Sequence, residues 1–295
     1  MVTCNFCKKE KAEVRIEYAR LNLCKNCFIK FINKKVKESV EKYKMFKPND
    51  IVGVAVSGGK DSTTLIYSLK DLFPKQEIKI IHIDLGIKNY SEYAKEKVKS
   101  IAKELGVDLI IYDLKKEENF VIEDFLKTPY RKKICSVCGT IKRYLFNYIA
   151  FKNEIDVIAT GHTLNDMVRI LFSTFLASDF SQMVRIKPVL LSTHPKLKKK
   201  VKPLFKVSEK ETSLYVKIRK IKFNEKKCPF HIKPKFENLL KNENLAYQLL
   251  SSFMKLISLL EDKIQKPKLK ECKLCGFPST NEICSKCKRV SLLKA

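Results

Sequence analysis

Two patterns in this sequence have the residue types and spacing for chemistry: a glycine-bearing loop and a set of eleven cysteines. Ser57-Gly58-Gly59-Lys60-Asp61-Ser62 follows an apolar run at 51–56 and precedes a helical pattern at 62–70. Glycines let the chain turn tightly and aim several backbone N–H groups at one point. A helix start adds the positive end of its dipole, so an anion such as phosphate binds there. Lys60 adds a point charge. Gly53 and Gly58 have the G-x4-G spacing of a Walker A loop, but Gly59 stands where that loop requires lysine.

The cysteines divide into three groups. Cys4-x-x-Cys7 and Cys24-x-x-Cys27 are separated by 16 residues, and Cys272-x-x-Cys275 and Cys284-x-x-Cys287 by 8. Two knuckles that each give two thiolates make a closed tetrahedral zinc site, structural because no position is left open. Cys135, Cys138 and Cys228 remain. Three thiolates suit an iron–sulfur cluster with one open iron, a zinc with one open position, or a redox-active thiol set, and spacing alone does not choose. Lys142 lies four residues after Cys138, so a helix puts both on one face. There it could stabilise charge on a transferring phosphoryl group. An odd cysteine count, paired spacings and no apolar signal core after Met1 point to reduced thiols in a cytoplasmic compartment.

The elements that must position these residues read as α/β. Buried-strand runs occur at 51–56, 78–85, 109–114 and 157–160, separated by helical patterns at 91–105 and 140–152. Such alternation predicts a doubly wound parallel sheet with helices on both faces. His82-Ile83-Asp84 ends the second strand and Gly161-His162 a later one, both at the edge where ligands bind in such sheets. His162 reads more readily as a structural histidine than as a base. The expected division is an N-terminal zinc module at 1–30, a nucleotide domain with the central cysteines at 31–235, a helical region at 236–270 and a C-terminal zinc module at 271–295.

The charge names the class of partner. Lys and Arg number 60 against 32 acidic residues, a formal net charge of +28. Residues 193–235 carry 15 basic and 3 acidic side chains, densest at Lys198-Lys199-Lys200-Val201-Lys202. A polyanion is the natural partner. No apolar run is long enough to span a membrane.

The loop resembles the SGGxDS signature of the PP-loop ATP pyrophosphatases, which cut ATP between the α and β phosphates and adenylate a substrate. By that resemblance Ala55 and Ile83 hold adenine through their backbone. Ser57, Gly58, Gly59, Lys60, Asp61 and Ser62 cradle the phosphates, and Gly161 approaches the nucleotide. The whole chain is similar to the TtuA-type tRNA 2-thiouridine synthetases. The likeness rests on both terminal knuckle pairs, the SGGKDS loop, C-x-x-C-G-x-x-K-R-Y, Gly161-His162, Val201-Lys202-Pro203-Leu204, Ser208-Glu209-Lys210-Glu211 and Cys228-Pro229. It implies ATP with Mg2+, a [4Fe–4S] cluster on Cys135, Cys138 and Cys228, two structural zincs, and catalytic roles for Lys142 and Asp166, Lys142 also touching the nucleotide. It implies tRNA as substrate, a homodimer, and sulfur from a thiocarboxylated ubiquitin-like carrier or free sulfide. One departure stands out. The family usually has Gly-His-x-x-Asp-Asp, and here Asn165 precedes Asp166. The competing enzymes are a tRNA cytidine 2-thiolase, a lysidine synthetase and a small-molecule synthetase for GMP or NAD. The competing non-enzyme is an ATP-sensing zinc protein that binds RNA.

Overall fold

The computed structural model describes residues 2–231, 236, 239–265 and 267–293. Lys233 and Lys235 of the basic segment, and Glu237 and Lys266 of the helical region, lie outside them. The chain opens with a hairpin, β1 (Val14–Ile16) and β2 (Leu21–Leu23), and runs into α1 (Lys25–Lys42). The nucleotide domain then alternates β3 (Val52–Ala55), α2 (Lys60–Leu72), β4 (Ile78–Asp84), α3 (Ser91–Leu105) and β5 (Asp108–Asp113). After the short α4 (Leu114–Glu118) come α5 (Ile134–Lys152), β6 (Val157–Thr160), α6 (Leu164–Leu176) and α7 (Phe180–Met183). The last part holds β7 (Val189–Leu190), β8 (Lys199–Val201), α8 (Glu209–Ile218), α9 (Glu243–Leu260), the hairpin β9 (Lys270–Glu271) and β10 (Pro278–Ser279), and α10 (Ser285–Val290).

Among the described residues the central sheet has the order β5-β4-β3-β6-β8-β7 and is parallel except at β7. Its middle strands are runs of Val and Ile without polar alternation, as strands covered on both faces require. Leu65, Ile66 and Leu69 of α2 and Val98 and Ile101 of α3 pack on one face. Val137, Ile141, Leu145 and Ile149 of α5 pack on the other. The chain builds outward from β3 to β5, then returns to lay β6 on the far side of β3. Strand order therefore reverses between β3 and β6. At such a point the connecting loops part in opposite directions and leave a crevice at the carboxyl ends of the strands.

Two elements differ from the sequence expectation. The helix expected at 140–152 begins at Ile134, so Cys135 and Cys138 lie in its first turns rather than before it. Ile134, Val137 and Ile141 continue its buried stripe, and their burial outweighs the cost of about 1 kcal/mol for Gly139 in a helix interior. The helical region at 236–270 holds α9 as its one long helix among the described residues. Asn242 caps it by accepting the N–H of Leu245, 3.2 Å away.

The terminal modules are tied to the domain by buried polar contacts. Lys35 of α1 donates to both oxygens of Glu211 on α8 (2.8 and 2.7 Å), to Tyr18 (2.8 Å) and to Tyr247 of α9 (2.7 Å). At the other end Lys286 of α10 pairs with Glu118 at 2.6 Å, and Phe277 packs on Tyr144 of α5.

Candidate active site

The glycine loop joins β3 to α2 at the crevice. Gly58 has φ +85°, a conformation that favours glycine, and a Cβ there would lie 3.2 Å from the carbonyl oxygen of Ala94. Gly59 caps α2 without a side-chain acceptor, so the first N–H groups of the helix are left for an anion. Ser62 Oγ donates to the Gly59 carbonyl (3.0 Å) and accepts from the Ser57 amide (3.2 Å), which pins the loop. On the neighbouring strand, a Cβ on Gly161 would come 3.0 Å from the Ser62 amide nitrogen. The end of β6 thus closes on the first turn of α2.

Asp61 and Lys60 turn toward α8. Lys60 Nζ lies 2.6 Å from Asp61 Oδ1, which also accepts the buried Thr212 hydroxyl at 2.5 Å. The backbone N–H of Asn224 donates to the Gly58 carbonyl at 2.7 Å, strapping the segment that leads to Cys228 over the loop. A cavity of about 130 Å3 opens beside the loop, lined by Ala55, Ser57, Ile81, Ile83, Tyr90 and Lys142. Ala55, Ser57, Ile83 and Lys142 therefore share one hollow, on the β4 side of β3.

Lys142 joins this hollow to the central cysteines. Burial pushes the Cys138 thiol up, as do the charges of Cys228 and Cys135, while Lys142 and Arg143 act the other way. Cys135 Sγ donates to the carbonyl of Phe230 at 2.7 Å, which brings the Cys228-Pro229-Phe230 turn onto the first turn of α5. The three sulfurs are drawn together beside two cations. At the chain ends the packing is tighter: the sulfurs of Cys4, Cys7, Cys24 and Cys27 lie within 4.8 Å of one another, as do those of Cys272, Cys275, Cys284 and Cys287. Each end set fits a single ion. The central set falls outside that spacing and fits a larger, anionic sulfur-ligated group, for which flanking cations are favourable.

Asp166 is the third residue of α6. It accepts from the Thr163 amide and hydroxyl, both at 3.0 Å, and from Arg169 at 2.9 Å. Burial favours its neutral form, but the Thr163 amide, His162 and Arg169 outweigh it and hold the carboxyl below its usual range. Arg169 also pairs with Glu209 of α8. Asn165 serves the start of α8 instead: its Oδ1 accepts the Glu209 amide at 2.9 Å. His162 bonds Thr160 through Nδ1 at 2.8 Å. Burial keeps its imidazole neutral, with Lys202, Lys142 and Arg143 acting the same way against Asp166.

Sequence reading missed Thr212, Asn224, Arg169 and Glu209 as supports of the site. The capping-box spacing of Ser208 and Glu211 was the available signal, since it marks the start of α8 and so fixes Glu209 and Thr212 on its first turn.

The PP-loop domain family matches residues 29–229, and the N-terminal LIM domain of the 2-thiouridine synthetase TtuA matches residues 3–29. The chain is 34% identical over 299 residues to the tRNA-5-methyluridine(54) 2-sulfurtransferase of Pyrococcus horikoshii, covering 99% of this chain and 94% of that protein. The chain belongs to the TtuA-type family of PP-loop tRNA 2-sulfurtransferases. A second relative of this sulfurtransferase family, from Thermotoga maritima and of the same name, is 34% identical and covers 97% of this chain and 95% of that one. The U34-tRNA thiolase NcsA of Methanococcus maripaludis, solved with its [4Fe–4S] cluster, superposes with a TM-score of 0.82 at 25% identity, over 99% of this chain and 96% of that chain.

Proposed function

We propose that this sulfurtransferase activates the 2-oxygen of a tRNA uridine with ATP and replaces it with sulfur. The uracil oxygen attacks the α-phosphorus and pyrophosphate leaves. A sulfur nucleophile then adds at C2 and AMP departs with the oxygen. One observation supports this reading most directly: Lys142 lines the hollow beside Ala55 and Ile83 and also acts on the Cys138 thiol, so one cation serves both the nucleotide and the sulfur side.

In this reading the N–H groups from Ser57 to Ser62 hold the phosphates, with Lys60 beside them. Asp61 is the carboxylate for the Mg2+ that accompanies ATP, and Gly161 leaves room for the nucleotide. Lys142 neutralises charge building on the α-phosphate. Asp166, held ionised, orients the base by accepting a hydrogen bond. Cys135, Cys138 and Cys228 would hold a [4Fe–4S] cluster, and the flanking Lys142 and Arg143 suit its charge. When bound, that cluster supplies one iron with an open position, a Lewis acid for a sulfur nucleophile. The terminal cysteine sets would each hold one structural zinc, giving modules at 1–30 and 271–295 around the domain at 31–235 and the helical region at 236–270.

The base is read as the uridine at position 54, because the relatives named for that position are 34% identical over nearly the whole chain. The likeness to the U34 thiolase supports wobble position 34 as the second reading. A thiocarboxylated carrier and free sulfide both fit as sulfur source. Reduced thiols and relatives named as cytoplasmic tRNA 2-thiolation proteins support a cytoplasmic setting. Phe175 and Phe180, exposed and packed edge to face, support a homodimer. Among the described residues no helix is long and apolar enough to cross a membrane. The test is an anaerobic reaction with tRNA, ATP and sulfide, with the thiolated position mapped by mass spectrometry. AMP and pyrophosphate in step with 2-thiouridine are expected; stoichiometric ADP would overturn the reading.

A further inference from the structure

The run at 198–202 is split by the sheet. Lys199 points to the face shared with α1, where its Nζ donates to the Lys44 carbonyl at 2.7 Å. Lys200 and Lys202 point to the α5 face. Lys200 Nζ donates to Asn147 Oδ1 at 2.8 Å, and Lys202 Nζ donates to the Lys187 carbonyl. Both are lysines withdrawn from water with only neutral partners. Arg185 adds its charge to that of Lys200, and Lys202 acts on His162 together with Lys142 and Arg143. Among the described residues none of Lys142, Arg143, Arg185, Lys200 and Lys202 pairs with a carboxylate. Lys200 and Lys202, neighbours on one strand face and each bonded only to a neutral acceptor, repel one another and lose hydration, so the free protein holds a cost that an anion would relieve.

We infer that Lys200 and Lys202, with the charge of Arg185 beside Lys200, form a seat for a phosphate oxyanion, and that the phosphate is a backbone phosphodiester of the substrate RNA. The sheet favours RNA over ATP. The hollow that takes the nucleotide lies on the β4 side of β3, whereas β8 lies two strands away on the other side. Two strand spacings are about 10 Å, which sets the seat apart from the hollow and leaves pyrophosphate as the competing occupant that the experiment tests. The seat flanks the Gly161–His162 end of β6, so a phosphate on it would hold the chain beside the base being modified. Burial lowers Lys200 and Lys202 to about 8 each, and a bound phosphate would keep them charged.

This inference rests on the tRNA reading above, and the experiment separates the two. The wild-type protein, loaded with its metals, is titrated with tRNA at several salt concentrations. Failure of the wild type to bind or thiolate tRNA would remove the functional reading. With that reading standing, the double variant Lys200→Met, Lys202→Met is expected to bind tRNA about tenfold or more weakly, with a log K against log salt slope shallower by roughly 1 to 2. Lys199→Met should keep the wild-type slope. As a measurement independent of folding, amine labelling of the wild type at pH 8 should show Lys200 and Lys202 protected by tRNA and not by ATP or pyrophosphate. Unchanged tRNA affinity and slope in the double variant would overturn the inference. So would protection by pyrophosphate alone, which would reassign the seat to the leaving group.

Discussion

The carboxylates of the site are committed before any substrate arrives. Asp61 already accepts from Lys60 and from Thr212. Removing the Thr212 hydroxyl leaves a charged acceptor short of one bond. Thr212→Val should therefore lower kcat/KM for ATP by about tenfold to a hundredfold, the range for a hydrogen bond to a charged group. Asp61→Ala should abolish turnover with iron and zinc contents unchanged, read by metal analysis beside the pyrophosphate assay. Asp166 carries a different signature. Because its carboxyl is held below the ordinary range, it is ionised at every pH where the enzyme works. Asp166→Asn is then expected to reduce kcat by the same factor from about pH 6 to 9, leaving the shape of the profile intact. A lost acid limb in the variant would show that Asp166 titrates as a base instead.

Helices α8 and α5 divide the labour between the two ends of the chain. The first turn of α8 presents Glu211 to the N-terminal module and Thr212 to Asp61. Helix α5 carries Cys135, Cys138 and Lys142 and is braced by Phe277 against Tyr144, with Lys286 on Glu118 beside it. Breaking one metal set should consequently be felt at one half of the site. Cys24→Ser is expected to weaken ATP binding first, and Cys284→Ser to lose iron while ATP binding persists. Calorimetry with ATP and iron analysis read the two outcomes. The sequence made much of this visible. Strand runs at 78–85 and 157–160 match β4 and β6 closely because buried parallel strands have few alternatives to Val and Ile. The cysteine spacings and the loop were readable because chemistry fixes them locally. What stayed hidden was non-local. The two residues of β7 and three of β8 are too short to show a period. That Lys199 and Lys200 part company follows only from where β8 enters the sheet. Cys135 and Cys138 fall outside the helical pattern at 140–152 because Gly139 interrupts the buried stripe that begins at Ile134.

At the scale of the whole molecule, a net charge of +28 sets the terms of encounter with RNA. A protein that neutralises 6–10 phosphates loses about 10³- to 10⁵-fold in affinity between 50 and 200 mM salt. A loss of that order is expected for tRNA, measured by filter binding. A loss below about tenfold would mean that the lysines are solvated bystanders.

The Lys35 bond also has a history in time. Its partners Glu211 and Tyr247 lie 176 and 212 residues further along the chain. At typical synthesis rates of about 5–20 residues per second, Lys35 is added to the chain roughly 9 to 35 s before Glu211. During that interval the cysteine knuckles can already hold an ion, while the aromatic face of Tyr18 and Phe31 around Lys35 has nothing to cover it. The N-terminal module is thus a part that is finished early and seated late. Its vulnerable moment in the cell is the wait for α8, when an uncovered aromatic face is open to chaperones or to other nascent chains.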